Sequence, residues 1–210
     1  TLLFLCIILI KLIVPPAPPQ DIHVDNWLLK WTPGTEDTDV TYTVNEKWIN
    51  VPACEKISST SCDVTSLKAV DELGCVKLRI QAERRGLKSS QVEACSNHND
   101  SCTPVVDLTA QPGSLMVHLS SDNDLAKEHA DHAKHRVYLG KEGEKLKLFK
   151  DSVASVPING LQEGERYCVK VQYIYLGYPV GLPSCTKCEL IPKTSKSLLE
   201  LVVCFTCRAE

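Results

Sequence analysis

Charge of one sign is scarce in this 210-residue chain: 23 Lys and Arg stand against 26 Asp and Glu, a formal net charge of −3. That balance builds no long-range field for a phosphate backbone, which argues against nucleic acid as a partner. A G-x-x-x-x-G-K-[ST] phosphate cradle is missing too; the stretch GKEGEKLKLFK (residues 140–150) offers only spaced lysines and glycines. No Ser/His/Asp or Cys/His set and no convergent acid–base pair stands out, so the sequence indicates no enzyme, cofactor or small-molecule substrate. AERRGLK (82–88) is basic and reads as a hairpin tip able to steer an acidic partner.

Long apolar runs are also few. LLFLCIILIKLIV (2–14) is apolar apart from Lys11. It is short for a membrane span and long for a strand, and it fits the apolar core of a secretory signal, although no A-x-A cleavage site is visible. Residues 1–14 are therefore expected to be a signal core, carrying Cys6 with them. SLLELVVCFTC (197–207) is apolar around Glu200 and is expected to be a membrane-proximal tail or the start of a truncated span within 193–210.

Cysteine is abundant: eleven residues. Such a density points to an oxidising compartment or to a metal. The stretch from Cys185 to Cys207 even has a zinc-like spacing, C-x₂-C, fifteen residues, C-x₂-C. A secretory signal favours disulfides over zinc.

Period-two patterns dominate the rest. After the proline-rich VPPAPPQ (14–20), Ile22 and Val24 alternate, then Trp27, Leu29 and Trp31, then Val40, Tyr42 and Val44. Val76, Leu78 and Ile80 form a further apolar face, and SSQVEACS (89–96) reads as a closing edge strand. The pattern restarts near Thr103, with a Gln-Pro-Gly turn before Leu115, Val117 and Leu119, a hairpin near 140–143, and two strands around a turn rich in Gly, Pro and Tyr. Two such runs, 15–98 and 99–192, predict an all-β chain of two tandem sandwiches. One segment dissents: DLAKEHADHAKH (124–135) favours a helical turn. Its His129, His132 and His135 suggest a metal face, but no carboxylate completes a site, so a solvated loop is expected.

Strand ends that meet at one end of a sandwich can be bridged when their Cα atoms come within about 7 Å. Cys168 with Cys188 and Cys75 with Cys95 lie twenty residues apart in each half, as hairpin staples would. Cys54 and Cys62 clip a short loop. Cys102 and Cys185 remain as a pair, with Cys168–Cys185 and Cys188–Cys102 as the open alternative. On this scheme each half is stapled within itself and the bend between them is free to grip a partner. Cys204 and Cys207 have no assigned partner.

Taken in order, PPAPPQDIHV, LLKWTP with Trp31, VTYTV with Tyr42, Trp48 before CEKISSTSCDVT, and YCVKVQ with Cys188 downstream resemble the ectodomain of a class II helical-cytokine receptor, the group that binds interferons and interleukin-10-like ligands. The resemblance covers most of 15–191 and is greatest to a type I interferon receptor chain. The absence of Trp-Ser-x-Trp-Ser separates the chain from class I receptors, whereas the Cys75, Cys95, Cys102 and Cys185 set is not general in the group. The resemblance implies two fibronectin type III domains joined at an elbow, a helical interferon-like cytokine as ligand, a second receptor chain as partner, and a plasma-membrane or secreted location. In that arrangement residues 45–48, 67–72, 122–134 and 173–180 face the elbow. The implied contact residues are Lys47, Trp48, Leu67, Lys68, Val70, Asp71, Glu72, Tyr173, Tyr175 and Tyr178, with tyrosine supplying large, stiff contacts. Trp27 and Trp31 are assigned to structure. Asn99, in N-D-S, is an N-glycosylation acceptor. An adhesion or matrix protein built from the same modules is the alternative reading.

Overall fold

The computed structural model describes residues 14–46, 49–69 (backbone only at 68 and 69), 76–96, 103–120, 127 and 132–194. Within the first half run β1 (Gln20–Asp25), β2 (Leu28–Thr32), β3 (Thr41–Glu46), β4 (Ile49–Asn50), β5 (Ser61–Asp63), β6 (Leu78–Arg84), β7 (Leu87–Lys88), β8 (Val92–Glu93) and β9 (Cys95–Ser96). They form two sheets, β5-β2-β1-β9 and β4-β3-β6 with β7 and β8 both on β6. The alternating apolar residues turn inward: Ile22, Val24, Leu29, Trp31, Tyr42, Val44, Leu78 and Ile80 are buried in one cluster. Period-two burial is what sets this register, because a one-residue slip would turn every one of them to water. Trp31 packs edge-on against Tyr42, with ring centroids 5.3 Å apart.

The second half contains β10 (Val106–Gln111), β11 (Ser114–Leu119), β12 (Ala133–Lys141), β13 (Lys147–Ser152), β14 (Val156–Asn159), β15 (Arg166–Tyr175), β16 (Tyr178–Val180) and β17 (Lys187–Leu190). One sheet is β10-β11-β14; the other is β13-β12-β15 with β16 and β17 both on β15. Gly113 closes the β10–β11 turn at a φ of +69°, a conformation that a side chain at this position would oppose. Val106, Leu115, Val117, Val137, Val156, Ile158, Val169 and Val171 make the second core. The described residues are thus mainly β, in two sandwiches of two sheets each. No helix among the described residues is long and apolar enough to cross a membrane.

Two expectations are corrected by this topology. The helix-favouring segment does not stay helical to His135: residues 133–135 open β12, where Ala133 pairs with Tyr175 and His135 with Tyr173. Inward burial of Ala133 and His135 in alternate positions overrides local helix propensity. The second correction concerns the cysteines. Cys54–Cys62 and Cys168–Cys188 are bonded within their halves, but Cys95 is bonded to Cys185 across them. Neither a Cys75–Cys95 staple nor a Cys102–Cys185 pair exists; Cys75 and Cys102 lie outside the described residues.

The reason is a change of sheet. After β8 pairs with β6, the chain crosses to the other sheet, and β9 runs parallel to β1 with Cys95 opposite His23. That edge is where the segment after β16 passes. Ser96 N–H donates to the Pro183 carbonyl at 3.0 Å, and Cys185 N–H donates back to the Ser96 carbonyl at 3.2 Å. Leu182, only 2% exposed, is part of the first core although it belongs to the second half. Far from being free, the bend is tied by a disulfide, a two-bond ladder and a buried leucine. The bridge spans 90 residues of sequence. By the loop-closure argument, a crosslink over so long a loop limits the unfolded chain by about 4–5 kcal/mol.

All three tryptophans lie in the first half, so their fluorescence reports that half. Leu182→Ala, a change in the second half, should therefore lower the tryptophan-reported unfolding free energy by about 2–5 kcal/mol, the usual cost of a buried leucine. Urea titration checks this; an unchanged tryptophan midpoint would mean that Leu182 is not part of the first core.

Candidate ligand-binding face

Register places two strand pairs, β3–β4 and β15–β16, at the clamped end. In the first half, the last residue of β3, Glu46, pairs with Leu78 at the start of β6. The Leu78 carbonyl accepts the N–H of Ala94, one residue before the clamp. The Glu46–Ile49 pair of β3 and β4 therefore lies at the clamped end of its sheet. In the second half, β15 and β16 pair as Tyr173 with Val180, Ile174 with Pro179 and Tyr175 with Tyr178, and the chain then runs into the clamp segment. The two-residue tip, Leu176 and Gly177, has φ values of +48° and +88°. Positive φ at both central positions is the turn that matches strand twist, and glycine supplies the second at little cost.

This hairpin has a fixed base and an open tip. Ser184 closes on Val171 twice: Ser184 N–H donates to the Val171 carbonyl at 2.7 Å, and Val171 N–H donates to Ser184 Oγ at 2.9 Å. Gln172 Nε2 donates to the Gly181 carbonyl at 3.2 Å. Leu176 N–H reaches the His132 carbonyl at 3.4 Å. Above this base, Leu176 is 60% and Tyr178 76% exposed, and Tyr175 is half-buried. In the first half Ile49 on β4 is likewise 76% exposed. Its strand is held by Asn45 Nδ2 donating to Asn50 Oδ1 and Asn50 Nδ2 donating to Glu55 Oε1. Large apolar side chains standing free on ordered backbone are suited to protein contact.

Not every expected contact residue reaches the surface. Tyr173 is 2% exposed, on the same side of β15 as the buried Val169 and Val171. Its ring lies 4.9 Å from that of His135, centroid to centroid. It can support the hairpin but cannot touch a ligand. Leu67 is 7% exposed and belongs to the first core, in the short helical turn Thr65–Ala69, so it too is withdrawn as a direct contact. The backbone of Lys68 sits in that same turn. Lys47, Trp48, Val70, Asp71, Glu72, Asn99 and His129 lie outside the described residues. Sequence reasoning passed over Ile49, Leu176 and Leu182. The readable sign for Leu176 was a large apolar residue directly before a turn glycine.

The electrostatics at this end are modest. Burial lowers the Lys170 ammonium below its ordinary range, and the Glu93 carboxylate of the first half partly offsets this. His135 is also pushed down by burial, with the backbones of Ser152 and Ser120 opposing the shift. Neither of its ring nitrogens has a hydrogen-bond partner of ordinary geometry. Its neighbours Lys134 and Arg136 alternate to the other face, where Arg136 makes two 2.8 Å bonds to Asp151 and holds that carboxyl below its usual range. No three His, Cys, Asp or Glu gather as a metal site among the described residues. Cys185 and Cys188 are committed to disulfides, which removes the first pair of the zinc-like spacing.

Residues 1–92 match the Tissue factor family model. Interferon alpha/beta receptor 1 of Sus scrofa is 33% identical over 76 residues, 31% of this chain and 14% of that protein. Its Ovis aries counterpart is 30% identical over 113 residues, 49% of this chain and 19% of that protein. The matched region is thus under one fifth of either relative's length. Among solved structures, the chicken interferon gamma receptor alpha chain aligns with 83% of this chain and 98% of its own, at 19% identity and a TM-score of 0.34. The chicken CNTN1 FN1–FN3 domains align with 86% of this chain and 69% of their own, at 13% identity and a TM-score of 0.37.

The depressed His135 carries a pH consequence. The unfolded chain takes up a proton near pH 6.5 that the fold refuses, so this contribution is intact above 6.5 and is lost as pH falls from there toward the lower folded value. Urea midpoints followed by circular dichroism should fall between about pH 7.5 and about pH 5.5, and His135→Gln should flatten that slope. An equal slope in the variant would show that His135 is protonated in the fold as readily as outside it.

Proposed function

We propose that this chain, a class II cytokine receptor relative carrying a tissue factor family domain in its first half, is a cytokine-receptor ectodomain. Its ligand is a helical cytokine of the interferon and interleukin-10-like kind, held at the clamped bend. A second receptor chain completes the signalling assembly. The setting is extracellular, with the ectodomain either attached to a plasma-membrane span or released as a soluble binder. The chain performs no catalysis of its own; residues 15–98 and 99–192 serve as the two modules, and Asn99 between them is a glycan site.

The observation that carries this reading is the β15–β16 tip: Leu176 and Tyr178 stand exposed on a base bonded to both halves. A preordered aromatic contact loses little conformational freedom on binding. Tyr178, Leu176 and Ile49 form the apolar centre of the contact, Tyr175 its edge, and Lys47, Trp48, Lys68, Val70, Asp71 and Glu72 the loops alongside. Tyr173 and Leu67 act from beneath.

Surface binding of the folded ectodomain against a panel of interferons and interleukin-10-like cytokines tests the reading. One ligand class should bind, and Tyr178→Ala should weaken it by about 10- to 30-fold with the urea midpoint unchanged. Absence of any helical ligand, together with concentration-dependent self-association, would favour the adhesion alternative. Full affinity in Tyr178→Ala and Leu176→Ala alike would move the contact away from this hairpin.

A further inference from the structure

The three described disulfides differ in how far solvent reaches them. Cys54 is fully buried and its partner Cys62 is 8% exposed. Cys168 is 5% exposed and is bonded directly across the β15–β17 ladder to Cys188, which is half-buried but lines no such cleft and has the pairs Tyr167–Glu189 and Val169–Lys187 on either side. Cys95 and Cys185 are both half-buried, and both line an open cleft of about 370 Å³ whose other walls are Asp21, Ile22, His23 and Thr186. The bond open to the cleft is also one that joins the two halves.

We propose that Cys95–Cys185 is a thiol–disulfide exchange site, opened by an extracellular dithiol of the Cys-x-x-Cys class, and that its opening loosens the bend. The cleft favours attack on one sulfur. Cys95 Sγ lies 3.3 Å from the Ile22 carbonyl oxygen, whose lone pairs oppose an incoming thiolate. Cys185 is followed by the exposed Thr186 and presents the clearer approach. A thiolate of the dithiol bonds to Cys185 Sγ while the Cys95–Cys185 bond breaks, and the electron pair leaves on Cys95 Sγ, which takes a proton from water. The second thiol of the reagent, as its thiolate, then displaces Cys185 from the mixed disulfide, and Cys185 is protonated in turn. The receptor chain gains two electrons and two protons; the dithiol becomes a disulfide.

Cleavage at Cys168–Cys188 would leave the flanking strand pairs in place and alter nothing between the halves. Cleavage at Cys95–Cys185 removes the one disulfide between the halves among the described residues, while keeping the Ser96 ladder and the buried Leu182. The product is therefore a jointed molecule and not two separated halves. The proposal does not depend on the identity of any cytokine, and its test contains none.

The test treats the folded ectodomain with limiting thioredoxin and its reductase, quenches timed samples with iodoacetamide, and maps alkylation by peptide mass spectrometry. Cys95 and Cys185 should be labelled at least about ten-fold faster than Cys54, Cys62, Cys168 and Cys188, while tryptophan emission stays native. Small-angle scattering of that product should show a broader spread of sizes than the oxidised protein. A Cys95→Ala, Cys185→Ala double variant should give the same scattering without any reductant. Labelling of Cys95 and Cys185 no sooner than the others, or only with loss of native emission, overturns the exchange site. Scattering unchanged by reduction overturns the loosening.

Discussion

Residues 181–185 belong to two structures at once, and the geometry of the bend follows from that. Through Ser184 they are tied to β15 of the second half; through Leu182, Pro183 and Cys185 they are tied to the core, the β9 strand and the disulfide of the first. Sandwiches of this size have a high ratio of surface to volume and hold their cores with little margin. An apolar residue lent across the junction, with backbone bonds around it, stabilises one half at the other's edge. The inter-half disulfide adds a constraint on the unfolded chain that increases with the length of the loop it closes.

The candidate contact face inherits its order from the same segment. β15 delivers Tyr173 inward against His135 and leaves Tyr175 at the margin, and the two-residue turn lifts Leu176 and Tyr178 clear. The turn thus separates a buried tyrosine on β15 from an exposed one on β16 within six residues. β16 continues directly into the clamp, so the tip and the bend are anchored by one segment. An ordered tip binds with less entropic loss than a loose one, and a fixed bend keeps contacts from the two halves in a single geometry.

The sandwiches were legible in the sequence because their strands alternate with a clear period of two: Ile22, Val24, Leu29, Trp31, Tyr42 and Val44 all face the first core. The Cys54–Cys62 and Cys168–Cys188 bonds were legible because both are local in sequence and need only a loop or a hairpin. Cys95–Cys185 was not, since pairing by strand ends assumes that a closing strand stays with its neighbour. Here the chain changes sheet between Glu93 and Cys95, a step with no local signature. Leu182 was missed for a related reason: a lone leucine between glycine and proline shows no period. The placement of Tyr173 depended on where the β15 strand ends, and element ends are set by tertiary pairing more than by local preference.

The clamp across the bend is the central claim, and a peptide map of the unreduced protein tests it most directly. Digestion under alkylating, non-reducing conditions should yield one crosslinked species containing Cys95 and Cys185, which separates into its two peptides on reduction. Recovery of Cys95 joined to Cys75, or of Cys185 joined to Cys102, would contradict the account and return the bend to a free joint.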